Sequence, residues 1–267
     1  MCTKSSAALG AFLPAIKEHY GNEALEVAVQ LALHAEDQVA SAMRVANGEP
    51  VGLVLGHTSF AGLRFACTEG VFTPRSTTLE VISRAAMDDA FSGQAHPVVL
   101  DIGCGTGVIA IVLAKLHENA TIIGVDLNVK AVELSKRNAA ALVPHSNITF
   151  MLGDVRESAI AGALPSSVDL MTCNPPYIPD RITLPSTVTD FQPANALYSG
   201  PDGMEVMRAC LQLGQRLLKT GGLLVVEHDT SQSGFVRSLF QASDVFVYEG
   251  GPDQPASYTA MRKIGKL

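Results

Sequence analysis

Asn174-Pro175-Pro176-Tyr177 has the makeup of a rigid hydrogen-bonding corner. Consecutive prolines donate no backbone hydrogen bonds and each fixes its own φ. Pro175 also drives Asn174 out of the helical region. The apolar run Val168 to Cys173 ahead of it reads as a buried strand that delivers the corner to the end of a sheet. One side-chain amide, several carbonyl oxygens and one flat ring, held together, suit a planar NH₂ group. Taken alone, the tetrapeptide reads equally as a proline-rich turn.

A second set lies upstream. Asp101-Ile102-Gly103-Cys104-Gly105-Thr106-Gly107 falls between a strand and a helix, where glycines let the backbone approach a ligand closely and helix-terminal N–H groups stay free to bind it. The spacing is not the G-x-G-x-x-G of a dinucleotide site, because position 108 is valine. No Gly-Lys-Ser/Thr follows, which excludes a phosphate-cradling P-loop. Asp126 ends the next strand, placed to accept hydrogen bonds from two ribose hydroxyls or to cap the following helix. Gly153-Asp154 ends a third strand, where a carboxylate or neighbouring backbone could meet an adenine edge, or simply form a turn. Carboxyl ends of successive strands are where an open α/β sheet binds ligands. Acids with a G-x-G-x-G turn favour a ribose-bearing ligand without pyrophosphate, and a cationic sulfonium nucleoside fits better than an anionic dinucleotide.

The 267 residues suffice for one sizeable core and a smaller appendage. A formal charge of −7 argues against general affinity for nucleic acid. Five cysteines give neither a disulfide framework nor a zinc pattern, so reduced thiols, no metal site and a cytoplasmic location are expected. No signal-peptide layout or bilayer-length apolar run is present, and no membrane partner is expected.

The elements that must position these residues follow from periodicity. Residues 1–50 read as a small helical domain, with helices over Ala7–Tyr20 and Asn22–Ala46 and a packing stripe at Leu25, Val29 and Leu33. Residues 51–75 read as a β-hairpin linker, with β-type runs at Val51–Leu55 and Phe60–Ala66 separated by Gly56-His57. Residues 76–267 read as the main domain: a helix over about 77–91, then alternating strands and helices. Its helix over Met204–Lys219 is expected to stop at Gly221-Gly222. Such alternation means an α/β fold with a mostly parallel sheet. Ile178 to Gly200 is a long loop of the kind that forms lids.

The motifs together resemble the class I S-adenosylmethionine methyltransferases, and specifically the PrmC/HemK family, which methylates a glutamine side-chain amide in peptide-chain release factors. Asp101 to Gly107 resembles the family's cofactor loop, Asp126 its ribose-binding acid and Asn174 to Tyr177 its N-P-P-Y substrate motif. Gly48-Glu49-Pro50-Val51 through Gly56 and Phe60 is similar to its G-E-P…G…F segment. Phe72-Thr73-Pro74-Arg75 is similar to its I-P-R segment, which lies against the cofactor. Pro193 to Leu197 with Gly200-Pro201-Asp202-Gly203 is similar to its P-x-x-A-L…G-x-D-G stretch. The resemblance implies a Rossmann-like seven-stranded sheet and S-adenosyl-L-methionine as cofactor, with S-adenosyl-L-homocysteine as product. It implies cofactor contacts from Thr73, Pro74, Asp101, Gly103, Cys104, Gly105, Thr106, Gly107, Asp126, Leu127, Asp154, Val155 and Asn174. Asn174, Pro175, Pro176 and Tyr177 are the implied catalytic residues. In that role Asn174 Oδ1 and the Pro175 carbonyl each accept one N–H bond and Tyr177 stacks on the amide, with no dedicated base.

The departures fall on the acceptor rim. Ser76-Thr77-Thr78-Leu79 stands where the family has P-E-T-E, with Glu80 a residue late, and Gln192 stands where it has an acid. Glu227-His228-Asp229-Thr230-Ser231-Gln232 keeps only the first acid and the glutamine of the usual ending. The acceptor is therefore expected to be a release factor-like protein glutamine or, in a paralogue, a small-molecule nitrogen. A cofactor-binding module without turnover is the rival class. Cys104 and Cys173 read as small buried thiols, and His228 as a capped or solvent-facing histidine.

Overall fold

The computed structural model describes residues 2–249 and 257–265, with side chains from residue 10 onward. The outer limits expected for the first and last units, residues 1 and 267, lie outside them.

Helices α1 (Cys2–Tyr20), α2 (Ala24–His34), α3 (Gln38–Ala46) and α4 (Val51–Leu55) come first. Ile16, Val27, Leu31 and Val45 pack with Val51 in a core of their own. The single helix expected over 22–46 is broken at residues 35–37, where Asp37 caps α3 by accepting from the Val39 and Ala40 amides. The stripe expected to pack does not: Leu25, Val29 and Leu33 are 67%, 48% and 70% exposed. Eight of the eleven α2 positions are apolar, with polar residues only at Glu26, Gln30 and His34, so more than one apolar face was open to burial. Packing against α1 and α3 chose Ala24, Val27 and Leu31 instead.

The β-type run at Val51–Leu55 is helix α4. Pro50 starts it and Gly56, at φ +73°, stops it, a proline-first, glycine-last pattern that outweighs the β preference of a five-residue run. The hairpin begins later: β1 (His57–Phe60) and β2 (Leu63–Ala66) pair antiparallel. Its turn is Ala61-Gly62, both at positive φ, the geometry that suits a two-residue hairpin turn.

The remaining elements are α5 (Thr78–Ala86), β3 (Val98–Ile102), α6 (Val108–Leu116), β4 (Thr121–Asp126), α7 (Val129–Leu142), β5 (Asn147–Leu152), α8 (Ile160–Ala163), β6 (Val168–Cys173), α9 (Ser186–Thr189), α10 (Glu205–Leu217), β7 (Leu218–Glu227), α11 (Ser233–Gln241), β8 (Phe246–Tyr248) and β9 (Tyr258–Lys263). They build a seven-stranded sheet in the order β5-β4-β3-β6-β7-β9-β8. β3 to β7 run parallel, and β9 is antiparallel to both β7 and β8. Residues of α5, α6 and α7 cover one face and residues of α8, α10 and α11 the other. Within β3, Val99 faces the first layer and Leu100 the second, as strand alternation requires. This is the expected α/β, Rossmann-like architecture.

Two boundaries move. α5 ends at Ala86, short of residue 91, and Asp88 just beyond it accepts the Ala90 amide and pairs with Arg84 and Arg262. α10 ends at Leu217, before the glycines expected to stop it. Gly221-Gly222 instead lie inside β7, where its register with β6 shifts between Val168 and Leu170. Pairing with β6 extended the strand back over residues whose local chemistry suggests a helix end.

The order of the sheet matters for the site. Connections from β3 run outward through β4 to β5, whereas those from β6 run the other way, so β3 and β6 flank the topological switch point. Gly124 on β4 makes room beside it: a Cβ there would lie 2.4 Å from Phe150 Cδ1 and 3.1 Å from Cys104 Cβ. Gly124→Ala is expected to lower unfolding stability by about 1–3 kcal/mol, as overpacking typically does, measured by urea denaturation.

Candidate active site

A cavity of about 690 Å³ opens over the carboxyl ends of β3, β4 and β6, within the usual size for a small-molecule site. One wall is the glycine loop. Gly103 and Gly105 both have positive φ, +69° and +55°, which side chains rarely tolerate. The Gly105 amide donates to Asp126 Oδ2 at 2.8 Å, pinning the loop to the end of β4. Asp126 Oδ1 accepts the Asn128 amide at 2.8 Å, and Asn128, not Asp126, caps α7 by accepting from the Lys130 amide. Burial pushes the Asp126 carboxyl up, and its two backbone N–H bonds offset part of that.

Gly103, Cys104, Gly105, Thr106, Asp126 and Leu127 reach the cavity wall, as do Thr73, Pro74, Asp154, Val155 and all four residues from Asn174 to Tyr177. Asp101 and Gly107 stand behind it. Gly107, at φ +85°, is a packing glycine, because a Cβ would sit 2.9 Å from Ile111 Cδ1 and 3.1 Å from Ser135 Cβ. Asp101 is 0% exposed, with Oδ1 accepting from Thr172 Oγ1 at 2.8 Å and Oδ2 without a partner among the described residues. Burial pushes its pKa up to about 7, against the Thr172 bond, and the Asp126 charge adds to the rise. The Asp154 carboxylate is engaged by Arg156, with Nη2 at 2.6 Å and Nε at 2.9 and 3.1 Å, which lowers its pKa.

At the far end stands the proline corner. The ideal Cβ of Gly103 would lie 3.2 Å from the Asn174 carbonyl oxygen, so the two loops touch across the switch point. Gly203, at φ +77°, lies so close to Tyr177 that a Cβ there would come within 2.3 Å of its carbonyl. That carbonyl accepts from Gln232 Nε2 at 2.9 Å. Tyr177 is largely buried, which raises its phenol pKa, while nearby Arg75 lowers it.

Five residues on the rim take parts that their types alone did not reveal. Gln192 and Thr73 clasp each other: the Thr73 amide donates to Gln192 Oε1 at 3.2 Å, and Gln192 Nε2 donates to Thr73 Oγ1 at 2.8 Å. This ties the long loop to the segment before α5 through a group that both donates and accepts. Thr77 and Thr78 donate to the two oxygens of Glu227 at 3.0 and 2.8 Å. Glu227 is 3% exposed and lines the cavity; burial raises its pKa, while Thr78 foremost among its hydroxyl partners lowers it. The departure from the family pattern at 76, 77 and 79, around a retained Thr78, was the visible signal. Its partner, 149 residues away, was not.

His228 is buried and bonded, Nε2 to Thr259 Oγ1 at 2.8 Å and Nδ1 to the Asp229 carbonyl at 2.9 Å, rather than facing solvent. Burial raises Cys104 and Cys173 well above the ordinary thiol range, so both are inert as nucleophiles.

The residues present fit a sulfonium nucleoside. A Cβ on Gly105 would meet only the Gly103 carbonyl, at 3.9 Å, so the loop backbone is open to a ligand. Asp126 offers a carboxylate with spare lone pairs beside it.

Residues 94–246 match the family described as "Methyltransferase domain". Over 221 residues, 80% of this chain and 70% of that one, the chain is 35% identical to the release factor glutamine methyltransferase of Mycobacterium tuberculosis (strain CDC 1551 / Oshkosh). It is 34% identical over 199 residues to the 4-amino-L-phenylalanine/4-methylamino-L-phenylalanine methyltransferase of Streptomyces pristinaespiralis, covering 73% of this chain and 66% of that one. Among solved structures, the T. thermophilus 16S rRNA N2 G1207 methyltransferase in complex with AdoMet and guanosine shares the fold, with TM-score 0.51 and 16% identity over 78% of this chain and 50% of that one. Sheet order, glycine loop and family match define a class I S-adenosylmethionine-dependent methyltransferase. Within that class the chain belongs to the PrmC/HemK family.

Asp101 generates a pH prediction. Its folded pKa of about 7 lies above the ordinary aspartate value, so the folded state binds the proton more tightly. Wild-type stability then falls as pH rises through that interval. Asp101→Asn removes this slope, and its stability relative to wild type is expected to grow from about pH 4 to about pH 7, read from urea midpoints across pH.

Proposed function

We propose that this enzyme transfers a methyl group to the side-chain amide nitrogen of a glutamine in a release factor-like protein. The observation that carries the reading is the contact of Gly103 with the Asn174 carbonyl, which sets the glycine loop against the N-P-P-Y corner. Similarity to release factor glutamine methyltransferases over most of the chain supports the choice of acceptor.

When bound, S-adenosyl-L-methionine supplies a methyl group on a positively charged sulfur and leaves as S-adenosyl-L-homocysteine. The backbone from Gly103 to Thr106, with Thr73, Pro74 and Leu127, forms its bed, and Asp126 holds the ribose hydroxyls. Because Arg156 occupies the Asp154 carboxylate, the Val155 backbone is the better partner for an adenine edge. Asp101 supports the loop from behind.

A carboxamide nitrogen is a weak nucleophile, since its lone pair is delocalised into the carbonyl. Asn174 Oδ1 and the Pro175 carbonyl each accept one of its N–H bonds, which fixes the nitrogen and favours its pyramidalisation toward the methyl group. Tyr177 packs on the amide plane. With the methyl group supplied there, the nitrogen would take it as the bond to sulfur breaks with its electron pair left on sulfur, and would then lose a proton to water. Positioning supplies the rate gain, and no base is needed.

The same reading divides the chain into the helical unit 1–50, the linker 51–75 and the catalytic unit 76–267, and places it in the cytoplasm. The separate core of the first helices supports a helical unit, which Val51 of the linker joins. Among the described residues no helix is long and apolar enough to cross a membrane.

With purified release factor and methyl-labelled cofactor, one glutamine is expected to gain one methyl group, mapped by peptide mass spectrometry. Methylation of free amino acids or amines instead would overturn the protein acceptor. Asn174→Ala is expected to bind S-adenosyl-L-homocysteine as wild type does and to lose roughly 10²–10³ in kcat, the usual cost of deleting one group that stabilises a transition state. Asp126→Ala is expected to weaken that binding by roughly 10- to 100-fold, since charge-assisted hydrogen bonds are among the strong ones, measured by calorimetry.

A further inference from the structure

Asn174 can serve as an acceptor only if its amide presents oxygen, not nitrogen, to the incoming NH₂. An amide is nearly symmetric in shape, so something must choose. Asn174 Nδ2 donates to Thr78 Oγ1 at 3.3 Å, and Thr78 Oγ1 donates to Glu227 Oε2 at 2.8 Å. The other oxygen, Oε1, is taken by Thr77 Oγ1 at 3.0 Å. Both Glu227 oxygens accept here, one from Thr77 and one from Thr78, and a hydroxyl has a single proton to give. Glu227 therefore claims the Thr78 proton and leaves Thr78 a lone pair to offer. A flipped Asn174 would set Oδ1 against that lone pair. Among the described residues no donor reaches Asn174 Oδ1, and the side chain stands on the cavity wall.

We propose that Glu227 and Thr78 form a proton-directing chain that orients the Asn174 amide, so that the enzyme accepts only a donor nitrogen in front of its methyl group. Both are positioning residues acting through Asn174. Thr77 occupies the second Glu227 oxygen and keeps the carboxylate turned toward Thr78. The chain also explains why a hydroxyl serves at residue 78: it accepts from one neighbour while donating to the next, which neither a carboxylate nor an aliphatic side chain can do.

This rests on the reading of Asn174 as the amide acceptor, and the test separates the two. Thr78→Val, Thr78→Ser, Glu227→Gln, the double variant Thr78→Val/Glu227→Gln and Asn174→Ala are compared. For each, kcat and KM for release factor are measured together with the dissociation constant of S-adenosyl-L-homocysteine. Thr78→Val is expected to lower kcat about tenfold, the scale of one ordinary hydrogen bond, with cofactor affinity within about twofold. Thr78→Ser restores the hydroxyl and is expected to restore kcat. Glu227→Gln can donate as well as accept, no longer dictates the direction, and is expected to fall similarly. The double variant is expected to be no worse than Thr78→Val, because both act through one path.

Unchanged kcat in Thr78→Val overturns the chain. So does a loss that Thr78→Ser fails to recover, one matched by loss of cofactor affinity, or full additivity in the double variant. Should Thr78→Val not fold, Glu227→Gln carries the decision: unchanged kcat overturns the chain, and a selective fall in kcat supports it. If Asn174→Ala itself keeps its turnover, the assignment of the acceptor corner fails, and the chain falls with it. If only Asn174→Ala is impaired, the corner stands and the chain alone fails.

Discussion

One register decides the geometry of this enzyme. β3 and β6 pair in parallel with Ile102 opposite Cys173, so the next residues, Gly103 and Asn174, leave the sheet side by side. Gly103 opens the glycine loop and Asn174 opens the proline corner. A Cβ at 103 would meet the Asn174 carbonyl at 3.2 Å, tight enough that a side chain there would press the corner away. The missing side chain lets the two binding surfaces close on one point, and a one-residue slip would turn the faces of both strands over.

Everything around that point keeps it rigid. Gly105 is held to Asp126, which anchors the loop to β4. The Tyr177 carbonyl is held by Gln232 and crowded by Gly203, and the Gln192–Thr73 clasp closes the long loop onto the segment before α5. These are short-range contacts between loops that leave a stiff sheet. Precise placement of two reactants is what methyl transfer to a weak nucleophile demands. The acids divide the labour by environment: Asp126 has a partner for each oxygen at the wall, Asp101 is buried behind it with one oxygen unpartnered among the described residues, and Asp154 is paired with Arg156.

The departures from the family pattern become intelligible as pairs. Thr77, which stands where the family has an acid, joins the retained Thr78 in satisfying the retained carboxylate buried at the end of β7. Gln192 takes up a threonine whose amide and hydroxyl need a donor and an acceptor in one group.

The alternating β and α periods, the glycine spacing and the proline pair settled the α/β fold, the absence of a dinucleotide fingerprint and the resemblance to one family, because those features are local: each depends on neighbours a few residues away. Local chemistry erred where a partner far along the chain had the last word. β7 reached back over Gly221-Gly222 to follow β6, whereas Val51–Leu55 became helix through its own flanks, Pro50 and the positive-φ Gly56. Leu25, Val29 and Leu33 turned outward because α1 and α3 claimed another apolar face of the helix. Likewise, Glu227 meets Thr78 across 149 residues, and no spacing rule spans that distance. A sequence specifies which groups are available; which proton goes to which oxygen depends on distances that exist only once the sheet has closed.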